Sequence, residues 1–373
     1  MALNQVGLER LGTSVTDKIG ERKNLIINGA MQVAERGNIS SVTDGYGGAD
    51  RFKFNRSGAA VATLRQQGVG NSPTDQGFGF CQQIDVTTAD SSLAAGDYAL
   101  ISYRFEGQDL QQLKKGTANA QQVTLSFYIK SPKTGTHIVE LVDQSNSARH
   151  VNKAYTVSSA NTWEKKTITF PMETSNTITN DNARGMDLNW WLAAGSTYSS
   201  GSLQTSWGAD TNANRAVGQV NCMDSTDNNI FITGVQLELG TVATDFEHRL
   251  FPEDLALCQR YCCKWDTAGA TTNNHSRFGT AYNQNTSSAM MFLYHPVPMR
   301  VTDGRTITHN IGVVEILTPG NNTSSLTLSG DASSNMITAV SLNSIGSVTQ
   351  HALCAPRIGA GQTDWYIIIA CEL

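Results

Sequence analysis

The sequence predicts an all-β protein: a jelly-roll-like β-sandwich, then a short linker helix, then a smaller C-terminal β domain. Three observations carry this reading. Short segments of alternating apolar and polar residues recur from about residue 50 onward, with Gly, Asn, Asp and Ser between them. Only one internal segment, FPEDLALCQRYCCKW at 251–265, combines helical spacing with helix-start chemistry. The chain has 373 residues with a charged fraction of 16%, which suits two or three domains of strands and turns better than long charged helices.

Residues 1–22 form an N-terminal arm in which Leu8, Leu11, Val15 and Ile19 fall at steps of three and four, one face of a short helix. A docking or self-association arm and a frayed terminus are both open readings of it. The sandwich is assigned to 23–250. It starts with the apolar run Leu25 to Ile27 and the turn dipeptide Asn28-Gly29. Strands are predicted in RFKFN (51–55), AVATLRQQ (60–67), GFGFCQQIDV (77–86), HIVELV (137–142), WEKKTITF (163–170) and NIFITGVQLELG (229–240). In DYALISYRFEG, Ala99, Ile101, Tyr103 and Phe105 share one face, and in QVTLSFYIKS Val123, Leu125, Phe127 and Ile129 do the same. Gly240 ends the last of these strands.

The linker helix is assigned to 251–265. Pro252 suits a first helical turn, Glu253 and Asp254 suit the positive end of the helix dipole, and Leu257, Tyr261 and Trp265 recur every fourth residue. Phe246 and Leu250 are expected to pack beneath it. Residues 266–373 carry further strand patterns, among them SSAMMFLYHPVPMRVT, MITAVSL and DWYIIIACEL, and are assigned to the C-terminal β domain.

Composition narrows the function. With 27 basic and 32 acidic residues the net charge is −5, and no Lys/Arg cluster marks a nucleic-acid surface. No run of ~18 apolar residues predicts a membrane span, and the first twenty residues lack a secretory pattern, so synthesis in a cytoplasm is expected. Seven scattered cysteines read as reduced, buried thiols rather than a disulfide framework.

Several segments, taken together and in order, resemble bacteriophage tail-fibre or tail-associated proteins that carry a carbohydrate-binding-module-like jelly roll. They are NLIINGAMQVAERG (24–37), Asp50-Arg51-Phe52, the run from 98 to 141, Trp163, FITGVQLELGTVATDFEHR (231–249) and LALCQRYCCKW (255–265). PVPMRVT (296–302) is similar to the C-terminal part of such proteins. The sequence departs from the family pattern at Asp245, where a Pro is usual, and at Cys262-Cys263, where aromatics are usual. The resemblance implies a virion protein of the tail, made in the host cytoplasm. It further implies a homotrimer, attachment to other tail proteins through the N-terminal arm, and a glycan on the host surface as ligand.

A glycan site needs flat apolar faces against sugar C–H surfaces and polar groups at the rim. The segment 181–210 offers Trp190, Trp191, Tyr198 and Trp207 amid Asn, Asp and Ser. In a strand such as LNWWLA, one of the adjacent tryptophans must face inward, so core packing competes with ligand binding at each position. The Asp/Asn-rich stretches 180–187 and 223–229 suit Ca²⁺ or, without any cofactor, Asx turns. GxSxG, HExxH and GxxxxGK[ST] patterns are absent, and no enzyme is predicted. Phe246, Glu247, His248 and Arg249 group chemistry-bearing types, but Gly240, Phe246, Glu247 and Arg249 are read as structural residues of the domain exit, with His248 a hydrogen-bonding residue there.

Overall fold

The computed structural model describes residues 22–145, 148–266, 279–310, 314–316, 322–323, 325–328, 333–343, 353–354, 356–358 and 365–373. The arm residues Leu8, Leu11, Val15 and Ile19 lie outside this set.

Among the described residues, thirteen strands build the sandwich. In chain order they are β1 (Ile39–Val42), β2 (Asp44–Tyr46), β3 (Phe52–Ser57), β4 (Val61–Gln67), β5 (Cys81–Thr88), β6 (Tyr98–Glu106) and β7 (Val123–Lys130). They continue with β8 (Gly135–Asp143), β9 (Arg149–Val157), β10 (Glu164–Phe170), β11 (Arg184–Ala194), β12 (Gly208–Ala209) and β13 (Asn229–Leu239). They form two antiparallel sheets, of order β1-β4-β5-β13-β7-β10 and β12-β9-β8-β11-β6-β3-β2. The chain passes repeatedly from one sheet to the other, as in a jelly roll.

The period-two pattern decides which side of each strand is buried. From the seven-stranded sheet Phe54, Ile101, Tyr103, Leu141, Leu188 and Trp190 point inward; from the six-stranded sheet Leu64, Ile84, Leu125, Phe127, Ile232 and Leu237 meet them. Each such side chain contributes about 1.5–3 kcal/mol on burial. Strands β1, β2, β9 and β12 were not predicted; β9 and β12 extend one edge of the seven-stranded sheet and β2 forms the other.

Helix α1 spans Phe251–Gln259, shorter than the predicted 251–265. Residues beyond it turn at Tyr261 and form β14 (Cys262–Asp266), paired from Cys262↔Ala370 to Asp266↔Tyr366 with the last strand. The four-residue recurrence of Leu257, Tyr261 and Trp265 suits a helix, yet long-range strand pairing takes Trp265 into the second core.

The C-terminal strands are β15 (Thr280–Asn283), β16 (Ser288–Tyr294), β17 (Thr306–His309), β18 (Val314–Ile316), β19 (Asn322–Thr323) and β20 (Ser325–Leu328). They end with β21 (Ile337–Asn343), β22 (Leu353–Cys354), β23 (Pro356–Ile358) and β24 (Tyr366–Ala370). Among the described residues they form three sheets, β14-β24-β17, β20-β21-β16-β15-β22 and β19-β18-β23. Met291, Leu293, Val340, Leu342, Ile367 and Ile369 form their core. The two domains meet through buried charge: Glu372 pairs with Arg51 and, at 2.9 Å, with Arg36.

Candidate functional site

The motifs that open and close the sandwich come together in one seam. Asn24 donates from Nδ2 to the Val235 carbonyl at 3.1 Å, and its Oδ1 accepts the N–H groups of Ile26 and Leu237 at 3.0 and 3.1 Å. Glu247 accepts the backbone N–H groups of Lys23 and Asn24 at 2.7 and 2.9 Å and a bond from Arg22 at 3.1 Å. Burial alone would push the Glu247 carboxyl up, but the Asn24 and Lys23 N–H groups and the guanidinium groups of Arg22 and Arg249 hold it below the usual range. Arg249 donates to the carbonyls of Asn24 and Ile26.

The exit segment returns over the outer face of the six-stranded sheet. Gly240 takes φ +104°, beyond the end of β13. Gln236 Oε1 accepts the Glu247 N–H at 2.8 Å, while Glu238 accepts the N–H and the hydroxyl of Thr244 at 2.8 and 2.7 Å. Phe246 packs edge-on against Phe78, with centroids 4.9 Å apart, and not beneath α1; Leu250 is 77% exposed. The two-residue stagger of VQLE turns Gln236 and Glu238 outward, where they catch the returning chain instead of seating the helix. His248 meets Phe246 edge-on at 4.8 Å rather than making a hydrogen bond among the described residues.

The same seam takes in Asp50-Arg51-Phe52 and the helix motif. Arg51, 1% exposed, lies 3.4 Å from the centre of the Tyr261 ring and donates to the Arg104 carbonyl at 2.7 Å. Glu106 accepts two bonds of 2.7 Å from Arg260 and one of 2.5 Å from the Tyr261 hydroxyl. These side chains are spent on architecture.

The opposite outer face is open. A groove of about 280 Å³ crosses the seven-stranded sheet. Its floor is a transverse row of hydrogen bonds on four strands. Asn55 on β3 donates to Ser102 on β6 at 2.9 Å, Ser102 to Asn189 on β11 at 2.7 Å, and Asn189 to Glu140 on β8 at 2.9 Å. Arg215 closes the row with two bonds to Glu140 of 2.7 and 2.8 Å. The four strand residues are outward positions, and antiparallel register brings them side by side: Asn189 lies opposite both Ser102 and Glu140.

At one end of the groove Tyr98 and Tyr198 meet edge-on at 5.4 Å beside Trp191. Toward the other end Asp187 is held by Arg184 and by Gln144, the latter at 2.8 Å. Behind Glu140, burial pushes the His150 imidazole down, against the pull of the Glu140 charge, so the ring is neutral at neutral pH.

The four predicted aromatics separate. Trp190 is in the inter-sheet core, 5.7 Å from Phe127. Trp191 faces outward but is 1% exposed, covered by Arg215 at 5.3 Å and the two tyrosines, so it supports the groove from below. Tyr198 lines the groove and is half-buried. Trp207 lies elsewhere, its indole N–H bonded to the Pro171 carbonyl at 2.8 Å with Lys115 above its ring. Tyr98, Asn55, Ser102, Asn189, Glu140 and Arg215 were not predicted. Alternation in β6 already put Ser102 on the polar face, but only the register shows which residues of other strands stand beside it.

In the Asp/Asn-rich loops, Asp181 accepts the Ala183 N–H at 3.0 Å, and Asp224 is held by Lys133 and Asn228 at 2.6 and 2.8 Å. Among the described residues no three His, Cys, Asp or Glu side chains gather as a metal-holding group. Six cysteines, including Cys258, Cys262 and Cys263, are buried free thiols.

No family model matches the chain, and no curated protein matches it. Solved structures do. A putative sugar-binding protein from Bacteroides thetaiotaomicron matches with 13% identity and a TM-score of 0.33, over 58% of this chain and 100% of its own. A structure described as a CBM4 module matches with 12% identity and a TM-score of 0.30, over 57% and 98%. The enzymatically active domain of bacteriophage CBA120 tailspike protein 4 matches with 14% identity and a TM-score of 0.29, over 54% of this chain and 22% of the tailspike. Likeness at this level carries no functional argument.

Proposed function

We propose that this chain is a non-catalytic attachment protein of a bacteriophage tail, and that its sandwich binds a host-surface glycan in the groove of the seven-stranded sheet. The groove itself carries the reading. It combines ring surface at Tyr98 and Tyr198 with amide, hydroxyl, carboxylate and guanidinium groups held in fixed positions by one another, the combination that a polyhydroxylated ring needs. Its carboxylate, Asp187, is tied to Arg184, while Glu140, buried beneath the floor, fixes Asn189 and Arg215 in place. The resemblance carried by the order of the sequence motifs supports the phage setting and the homotrimer, and the spacing of Leu8, Leu11, Val15 and Ile19 supports a docking role for residues 1–22.

The test is binding of the purified full chain to an array of bacterial surface polysaccharides, with Tyr98→Ala and Tyr198→Ala beside the wild type. Loss of one stacking ring should weaken binding about three- to tenfold. Wild-type protein that binds no polysaccharide, together with tails that fail to assemble when the chain is deleted, would replace this reading with a purely architectural role. Release of reducing ends from a bound polysaccharide would show a depolymerase instead.

A further inference from the structure

The outer face of the six-stranded sheet holds a second pocket, of about 240 Å³, away from the groove. Its floor is aromatic. Phe78 from the loop before β5, Tyr128 on β7 and Phe246 on the exit segment converge, with Phe78 5.3 Å from Tyr128 and 4.9 Å from Phe246. Room for Phe78 comes from a bulge in β13, where the register with β7 shifts between Thr233 and Gln236. Gly234 in that bulge takes φ +60°, and a Cβ there would lie 2.6 Å from the Phe78 ring and 3.0 Å from Tyr128. No other residue type gives both the backbone conformation and the space.

Among the described residues, three polar side chains at the rim, Lys165, Asp245 and His248, make no side-chain hydrogen bond or ion pair. Among the described residues the Lys165 ammonium forms no ion pair and rests only over the Tyr128 ring, at 5.9 Å. Asp245 enters hydrogen bonds through its backbone carbonyl and not through its carboxylate. His248 is exposed, its ring set against Phe78 at 5.4 Å. An aromatic floor with solvent-facing donors and an acceptor above it is a ligand pocket in miniature. It lies below the roughly 300 Å³ at which pockets for drug-sized molecules begin.

We propose that this pocket is a second ligand site, which takes one pyranose ring of a glycan: the C–H face lies on Tyr128 and Phe246, Lys165 and His248 donate to ring hydroxyls, and Asp245 accepts from them. The pocket stands on its own residues and needs no ligand in the groove. Because the two sites open on opposite faces of the sandwich, they hold separate glycan chains, and two weak attachments per subunit add avidity.

The test is saturation-transfer NMR on the full chain with four probes, the methyl glycosides of glucose, galactose, mannose and N-acetylglucosamine. Wild type is compared with Lys165→Ala, His248→Ala and the groove variant Tyr198→Ala, with melting temperatures to confirm folding. At least one glycoside is expected to receive saturation from the wild type and from Tyr198→Ala. Its affinity should fall about tenfold in Lys165→Ala or His248→Ala, the loss of one charge-assisted or ring N–H bond. The proposal is overturned if no glycoside receives saturation from the wild type, if both rim variants behave as the wild type does, or if Tyr198→Ala alone abolishes the signal. The last result would leave the groove as the glycan site and remove the pocket.

Discussion

The two outer faces of the sandwich start from the same alternating strands and end differently. On the seven-stranded sheet the outward polar residues bond sideways to one another, from Asn55 through Ser102 and Asn189 to Glu140 and Arg215, and the face stays open. On the six-stranded sheet the equivalent positions in β13, Gln236 and Glu238, bond to chain that returns over them, and only a small pocket is left. Strand period settles which side of a sheet is buried in the core. What covers the other side depends on where later segments of the chain travel.

The largest effect is expected from breaking the seam that closes the second face. Glu247→Ala removes the acceptor for two backbone N–H groups and a guanidinium, so unfolding in urea should show a loss of roughly 2–4 kcal/mol. Groove binding per folded molecule should be unchanged; if binding falls along with stability, the two faces are not independent. Next comes Gly234→Ala, which puts a side chain into a left-handed conformation against Phe78 and should cost about 1–2 kcal/mol or more. An unchanged urea midpoint would mean that the bulge is not built around this glycine.

On the open face Asn189→Ala interrupts the row between Ser102 and Glu140. A loss of about 1 kcal/mol is expected, with weaker polysaccharide binding. Full binding by this variant would take the row out of the site and leave the tyrosines alone.

The smallest effect at neutral pH concerns the C-terminal domain. Burial, and then the Arg305 charge, pushes the His295 imidazole down to about 4. An unfolded histidine takes up its proton near pH 6.5. Below that value the unfolded chain binds a proton that the folded one refuses, so stability falls as the pH drops from about 6.5 towards 4 and is fully present above it. His295→Gln should lose less stability than the wild type between pH 7 and pH 5 in urea titrations. Equal losses would place the acid sensitivity in the sandwich, where burial also pushes His137 and His150 down.

Much of the seam was legible in order along the chain, because its residue types recur as fixed motifs: Asn24, Gly240, Glu247, Arg249 and Tyr261 all act there. The partners of Phe246 and the end of α1 were not legible. Phe246 meets Phe78, 168 positions earlier in the chain, and α1 stops because β24, a hundred residues later, takes up the backbone of 262–266. Of the four aromatics read from composition, Trp191 and Tyr198 lie at the groove and Trp190 and Trp207 do not, and the hydrogen-bonded row was not read at all.

By itself the sequence determined the all-β class, the inward faces of the long strands and the positions of the breaks between them, since these follow from local periodicity and from turn residues such as Asn28-Gly29 and Gly240. Tertiary structure alone decided which tryptophan supports a surface and which fills the core, and which polar residues stand side by side. Those outcomes depend on antiparallel register: a shift of one residue turns every side chain of a strand to the opposite face, and no local pattern records which neighbour the strand will meet.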